Sequence, residues 1–156
     1  MAWSRQRHGR RHLLNVGSSI RRLVVGALAI GALTAGIVAC GVSGNDLVVQ
    51  QNGQQLARLN LAQLQHLPQV DVATPQSRGA KVQRGPTVRA ILSAAGAGRV
   101  ESVRVEGRDP PQTLTATELT ENLILALTKR NTLKLTGTDL GTERWVRDVT
   151  ALVVNP

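Results

Sequence analysis

Two groups of basic residues and one cysteine are the positions where this chain could do chemistry. Arg78, Lys81 and Arg84 fall in one glycine-containing stretch, Thr74 to Pro86, and Arg144 and Arg147 flank Trp145. Planar guanidinium forks match the oxygens of phosphate or sulfonate groups, and loops on a rigid scaffold often carry sites. Two readings follow: anion binding at these two segments, with Arg84, Arg144 and Arg147 as the contacting residues, or solvated loop arginines, with Arg144 paired to the neighbouring Glu143. Other chemistries have little to work with. Ser77 and Ser93 have no evident base beside them, so nucleophilic catalysis lacks its activating partner. His66 is the only histidine after Cys40; a zinc site would need further ligands near it, and a place at a helix end before Pro68 accounts for it. No Cys–His pair and no GxxxxGK[ST] phosphate loop occurs. No catalytic residue and no metal ligand is expected.

Cys40 is the single cysteine of the chain and closes the run Ile37-Val38-Ala39-Cys40. Upstream lie Arg5, Arg7, Arg10, Arg11, Arg21 and Arg22 with no acidic residue. A basic segment, an apolar segment and small residues before a cut form a secretory signal. The small-small-Cys ending resembles a bacterial lipobox, in which the cysteine thiol is lipidated and becomes the first residue of the mature protein. Acyl chains would then hold a soluble domain at a bilayer without a spanning helix. An uncleaved anchor is the alternative, since Leu23 to Cys40 is an uncharged run close to the length that spans a thin hydrocarbon core. A plain signal peptide with a coincidental cysteine is the other. All three place the remainder outside the cytoplasm. Ile20-Arg21-Arg22-Leu23-Val24-Val25 distantly resembles a twin-arginine export signal. The expected organisation is a signal or membrane segment over 1–40, a tether over 41–46 and one domain over 47–156.

The charge balance follows from this division. The chain carries a formal charge of +9 and 19 Lys+Arg against 10 Asp+Glu. Six of those arginines precede Cys40, where positive charge sets orientation at a membrane. Beyond Cys40 the balance falls to 13 Lys+Arg against 10 Asp+Glu, which is not the strongly basic footprint expected of a nucleic-acid binder. Phe and Tyr are absent and Trp145 is the only tryptophan after Trp3, so the core must be Leu, Val, Ile and Ala. The expectation for Trp145 is burial against those aliphatics. With one cysteine no intrachain disulfide can form.

Leu47-Val48-Val49 begins a strand, Asn52-Gly53 signals a hairpin turn, and Leu56 to Leu59 is the partner. Asn60 and Gln63 form a capping-box pattern for a short helix that Pro68 ends. Val70 and Val72 alternate with polar residues as a half-buried strand. Thr74 to Pro86 reads as a long polar loop, with Pro86 at the start of the next helix. Val88, Ile91, Leu92 and Ala95 share one helical face, and Gly96 is a left-handed stop. Val103 and Val105 mark a strand, and Gly107 to Pro111 a turn. Thr115 and Glu118 suggest a second capping box and short helix. Leu123 to Leu127, apolar throughout, reads as a central strand covered on both faces. Leu133 to Leu135 continues the strands after a turn. Gly137 to Thr142 is a loop, and Trp145 to Val154 reads as one long strand. Strands and short helices of irregular spacing predict an α+β fold with mixed sheets.

The order of these pieces resembles a known family. The phrases are Leu61-x-x-Leu64-x-x-Leu67-Pro68-x-Val70-x-Val72, then Gly85-Pro86-x-Val88-Arg89-x-Ile91-Leu92-x-Ala94-Ala95-Gly96, then Val103-x-Val105. Leu114-x-x-x-Glu118-Leu119, Leu125-Ala126-Leu127 and Arg144-Trp145-Val146-Arg147 follow. Together they resemble the oxidoreductase molybdopterin-binding domain of the sulfite oxidase family, over about Leu56 to Val154. The resemblance implies an α+β fold whose loops grip a pterin pyrophosphate, with Arg144 at the basic position near that pyrophosphate. It also implies a metal-holding cysteine soon after the strand of Val70 and Val72. Here the chain reads Ala73-Thr74-Pro75-Gln76, and threonine cannot supply the soft anionic ligand molybdenum takes. The expectation is a small, non-catalytic relative: a module lipid-anchored at the extracytoplasmic face of the cell membrane that binds an anionic small molecule or other envelope proteins. The alternatives are a molybdopterin-dependent oxidoreductase subunit and a structural envelope lipoprotein.

Overall fold

The computed structural model describes residues 45–156; Cys40 and the whole signal segment lie outside them. β1 (Leu47–Gln51) and β2 (Gln54–Leu59) form a hairpin. Its turn places Asn52 and Gly53 at φ of 53° and 73°, the left-handed pair that a two-residue type I′ turn requires. α1 (Leu61–His66) carries the full capping box, with the Asn60 side chain accepting from the Gln63 N–H and the Gln63 side chain from the Asn60 N–H. His66 is exposed at its last turn.

β3 (Gln69–Ala73) and β4 (Val82–Pro86) form a second hairpin. β4 lies inside the stretch that reads as a loop in sequence, because Gln83, Arg84 and Gly85 carry no apolar alternation. Pro86 closes this strand rather than opening a helix; a missing N–H is tolerated at a strand end. α2 (Val88–Ala94) is capped instead by the Thr87 hydroxyl, which accepts from the Ala90 N–H. Gly96 ends it with φ of 72°.

β5 (Ser102–Glu106) pairs with β6 (Gln112–Thr115) across the Gly107–Pro111 turn. The helix expected after Thr115 does not form. Glu118 does reach back to the Thr115 N–H at 2.8 Å, but the chain makes only a turn before β7 (Leu123–Leu127). One turn leaves the cost of helix nucleation unrecovered. β8 (Leu133–Gly137) completes the third hairpin. The long final strand is also shorter than its sequence suggests. Thr142–Arg144 is a 3-10 turn, Arg147 makes an isolated bridge to Lys134, and β9 spans only Ala151–Val154. Asp148 interrupts the extended run with φ of 49°.

The sheet order β2-β1-β9-β5-β6 makes one mixed five-stranded sheet. β1 and β9 run parallel and the other neighbours antiparallel. Its inward side chains alternate as Leu47 and Val49, Val103 and Val105, Leu152 and Val154, the period a one-sided sheet demands. They meet Leu64 of α1, Ile91 and Leu92 of α2, and Leu125 and Leu135 of the β7–β8 hairpin in one aliphatic core. β7 is apolar at every position because it divides two cores. Leu123 and Leu125 face the main one, while Ile124 and Ala126 pack with Val72 and Val70 beneath the β3–β4 hairpin. The two-sided burial expected of β7 is observed over Leu123 to Ala126, but the strand is not central: it pairs only with β8, and Leu127 at its end is exposed.

Candidate functional site

The β3–β4 hairpin, the β7–β8 hairpin and the segment before β9 enclose a cleft of about 970 Å³. The loop over 74–81 forms one wall, and its own polar groups hold it in shape. The Thr74 N–H donates to Lys81 O at 2.7 Å, and the Lys81 ammonium donates to the carbonyls of Pro75 and Ser77. Gln76 anchors the loop to the far end of β8 by donating to Gly137 O, and Thr138 donates back to Ala73 O. Lys81 is thereby spent on its own loop and does not line the cleft. Arg78 and Arg84 do.

Arg147 and Trp145 enter from the opposite side. The bridge between Arg147 and Lys134 and the hydrogen bond from Leu135 N–H to Val146 O lay this segment along β8. The Trp145 indole donates to Leu140 O at 3.0 Å. Its ring packs on the main core yet stays half-buried, less enclosed than the sequence suggests, because one face is turned to Lys134. The Lys134 ammonium stands 4.6 Å from the ring centroid, within the range of a cation–π contact.

The cleft brings five basic side chains together, Arg78, Arg84, Lys129, Lys134 and Arg147, against two acidic ones, Asp109 and Glu143. Their pairing differs. Arg147 is held by Asp109, whose carboxylate also accepts from the Arg147 backbone N–H at 2.7 Å. Arg84 has only a loose contact with Asp71 at 3.5 Å, with both side chains exposed. Among the described residues, Arg78, Lys129 and Lys134 have no carboxylate within 4.0 Å. Burial pushes the Lys134 ammonium below the ordinary lysine pKa, since no counter-charge offsets its lost hydration.

Of the arginines expected from sequence, the structure brings Arg84 and Arg147 to one cleft and places Arg144 outside its lining. Arg144 binds the Glu118 carboxylate and the Thr113 carbonyl, which ties the pre-β9 segment to the end of β6. Lys134 and Lys129 were not legible as site residues. The alternation Leu133-Lys134-Leu135 places Lys134 opposite two core leucines, but the face it shares with Trp145 depends on the bridge to Arg147.

The donors here do not fit molybdenum. Among the described residues, none that line the cleft carries a thiol. Thr74, just beyond β3 where the resemblance places the metal-holding cysteine, is fully buried and accepts from the Gln83 amide at 3.0 Å. Among the described residues no group of three His, Cys, Asp or Glu side chains is arranged to hold a metal ion. No helix among them is long and apolar enough to cross a membrane. No protein-family model matches this chain, and no curated protein does.

Two ion pairs near the site give the domain an acid-sensitive stability. The bond from Arg147 holds the Asp109 carboxyl at about 2 against an ordinary 3.8. The Thr115 backbone N–H, reinforced by Arg144, holds Glu118 at about 2 against 4.5. Both pKa values are depressed by folding, so the unfolded chain takes up protons first as the pH falls. The stabilisation is complete above about pH 5 and is lost progressively toward pH 2. Solvent reaches both carboxylates and screens them, so the expected loss in Tm over that window is roughly 5 °C. Thermal melts of Asp109→Asn and Glu118→Gln should each show a flatter acid limb than the parent. An unchanged limb in both would contradict the assignment.

Proposed function

We propose that this domain is an extracytoplasmic anion-binding module, tethered to a membrane through a lipidated Cys40. On this reading it is a non-catalytic relative of the sulfite oxidase molybdopterin-binding domains. The observation that carries the binding function is the cleft holding Arg78, Lys129 and Lys134 without carboxylate partners beside the loosely paired Arg84. Uncompensated like charges repel one another and disfavour the folded state. Their convergence on one concave surface is explained by a ligand that supplies the missing negative charge. The walls are pre-shaped by the Gln76 and Lys81 anchors, which lowers the ordering cost of binding. The family relationship rests on the order of sequence phrases from Leu61 to Arg147. A redox role has no thiolate to draw on in this cleft.

Inorganic pyrophosphate titrated into the full chain by calorimetry tests the binding function. Saturable binding that weakens with salt is expected. Arg78→Gln combined with Arg84→Gln should reduce affinity roughly 100-fold or more, since each charge-assisted contact contributes about 1.5–3 kcal/mol when desolvated. Arg99→Gln, at the exposed Arg99–Glu101 pair outside the cleft, should leave it unchanged. Absence of any saturable binding would remove the anion reading. The tether is tested separately. Cys40→Ala should release the protein from membrane fractions or stop its processing, and mass spectrometry should find an acylated Cys40 at the mature N-terminus. A mature protein that still begins at Met1 would contradict it.

A further inference from the structure

The cleft is not polar throughout, and its apolar wall narrows the class of ligand. The described residues expose three large hydrophobic side chains, Leu56, Val82 and Leu127. Two of them, Val82 at 59% exposure and Leu127 at 36%, line this one cleft. Ala126 and the half-buried Trp145 continue the same lining. A single exposed aliphatic residue is ordinary on any protein surface. Two converging with an indole in a concave site, under unpaired cations, are not explained by a hydrophilic anion such as pyrophosphate. The placement follows from the fold. β4 and β7 pack tightly at Gly85, and Thr87 bridges to Ile124. Towards Val82 and Leu127 no further bridge joins the two strands, and these side chains are left uncovered.

Resting on the anion reading above, we propose that the cleft binds an anionic amphiphile. Its phosphate- or carboxylate-type head would be met by Arg78, Lys129 and Lys134. Its apolar chain would lie on Val82 and Leu127, in the same lining as Trp145. The cleft volume lies at the upper end of the range for small-molecule sites, which suits one such chain. The head must carry charge, because an uncharged amphiphile would leave the cations unmatched. Lys134 joins the two halves of the site, with its ammonium over one face of the indole.

The test uses the full chain carrying Trp3→Phe, so that Trp145 is the only tryptophan, held in phosphatidylcholine nanodiscs. Trp145 emission is followed on adding octyl phosphate, methyl phosphate or octyl glucoside. Octyl phosphate should saturate at a concentration at least about 30-fold below methyl phosphate, given the apolar surface available to its chain. The double variant Val82→Ser with Leu127→Ser should reduce that advantage to within roughly 3-fold while leaving methyl phosphate unchanged, which also corrects for partition into the disc. Equal affinities for octyl and methyl phosphate would overturn the amphiphile proposal and leave the anion reading standing. Octyl glucoside binding as tightly as octyl phosphate would overturn it too. If no phosphate binds, the anion reading falls and this proposal falls with it. Discs containing phosphatidylglycerol separate the two sources of such a ligand. Competition with octyl phosphate there points to a bilayer lipid, and undiminished binding points to a diffusible amphiphile.

Discussion

Gly85→Ala is expected to be the most damaging single-methyl change in the domain. A Cβ at this position would lie 2.2 Å from the Leu125 carbonyl oxygen and 2.7 Å from its carbon. Both are backbone atoms of β7, the strand that separates the two cores, so they cannot rotate aside as a side-chain tip could. Relief would require β4 to lift from β7. That would open the small cluster of Val72, Ile124 and Ala126 and strain the Thr87 bridge to Ile124. Overpacking of this kind costs roughly 3 kcal/mol or more, a large part of the stability of a domain this size. Urea unfolding should show a much lower midpoint with little change in slope. Gly79→Ala is the matched control, since its Cβ would meet only the Ser77 hydroxyl at 3.9 Å. Equal midpoints for the two variants would show that β4 does not pack on β7 as described.

Lys134→Met is expected to move stability and binding in opposite directions. Lys134 is partly buried over the Trp145 ring, and burial lowers its pKa with no counter-charge to oppose the shift. The folded state therefore binds this proton less well than the unfolded chain, and the ammonium weakens the fold below its pKa. Methionine keeps the length and the contact with the indole while removing the charge. A rise in Tm of a few degrees is expected, largest near neutral pH and vanishing as the pH rises through the lysine range. Affinity for pyrophosphate should fall roughly 10-fold, the loss of one desolvated charge-assisted contact. A residue that weakens the fold and strengthens a site is the pattern of a functional group. A variant that bound pyrophosphate as tightly as the parent would remove Lys134 from the site.

Local chemistry was legible wherever a few consecutive residues settle the backbone. Asn52-Gly53 specifies its turn because both residues accept left-handed φ. Asn60 and Gln63 specify the start of α1 because their side chains reach the free N–H groups of that turn. Gly96 ends α2 for the reason that a Cβ would be strained at its φ of 72°. The unbroken apolar run of β7 announced a strand covered on both faces. By the same standard β4 was hidden, because Gln83-Arg84-Gly85 carries no pattern of its own and becomes a strand through pairing with β3. Thr115 and Glu118 misled for the opposite reason. The hydrogen bond of a capping box does form, but no helix follows it.

Local sequence patterns suffice for the α+β class, an aliphatic core, and arginines gathered in two separated segments. They do not determine which arginines share a site. Arg144 and Arg147 stand three residues apart, yet Glu118 draws one away to β6 while the bridge to Lys134 holds the other at the cleft. Lys134 joins them from a different hairpin altogether, and Val82 joins from the end of β4 that no bridge ties to β7. These are contacts between residues far apart in the chain, made by strand register and by the backbone approach at Gly85. Short-range propensity carries no information about either, so the cleft exists only at the level of tertiary structure.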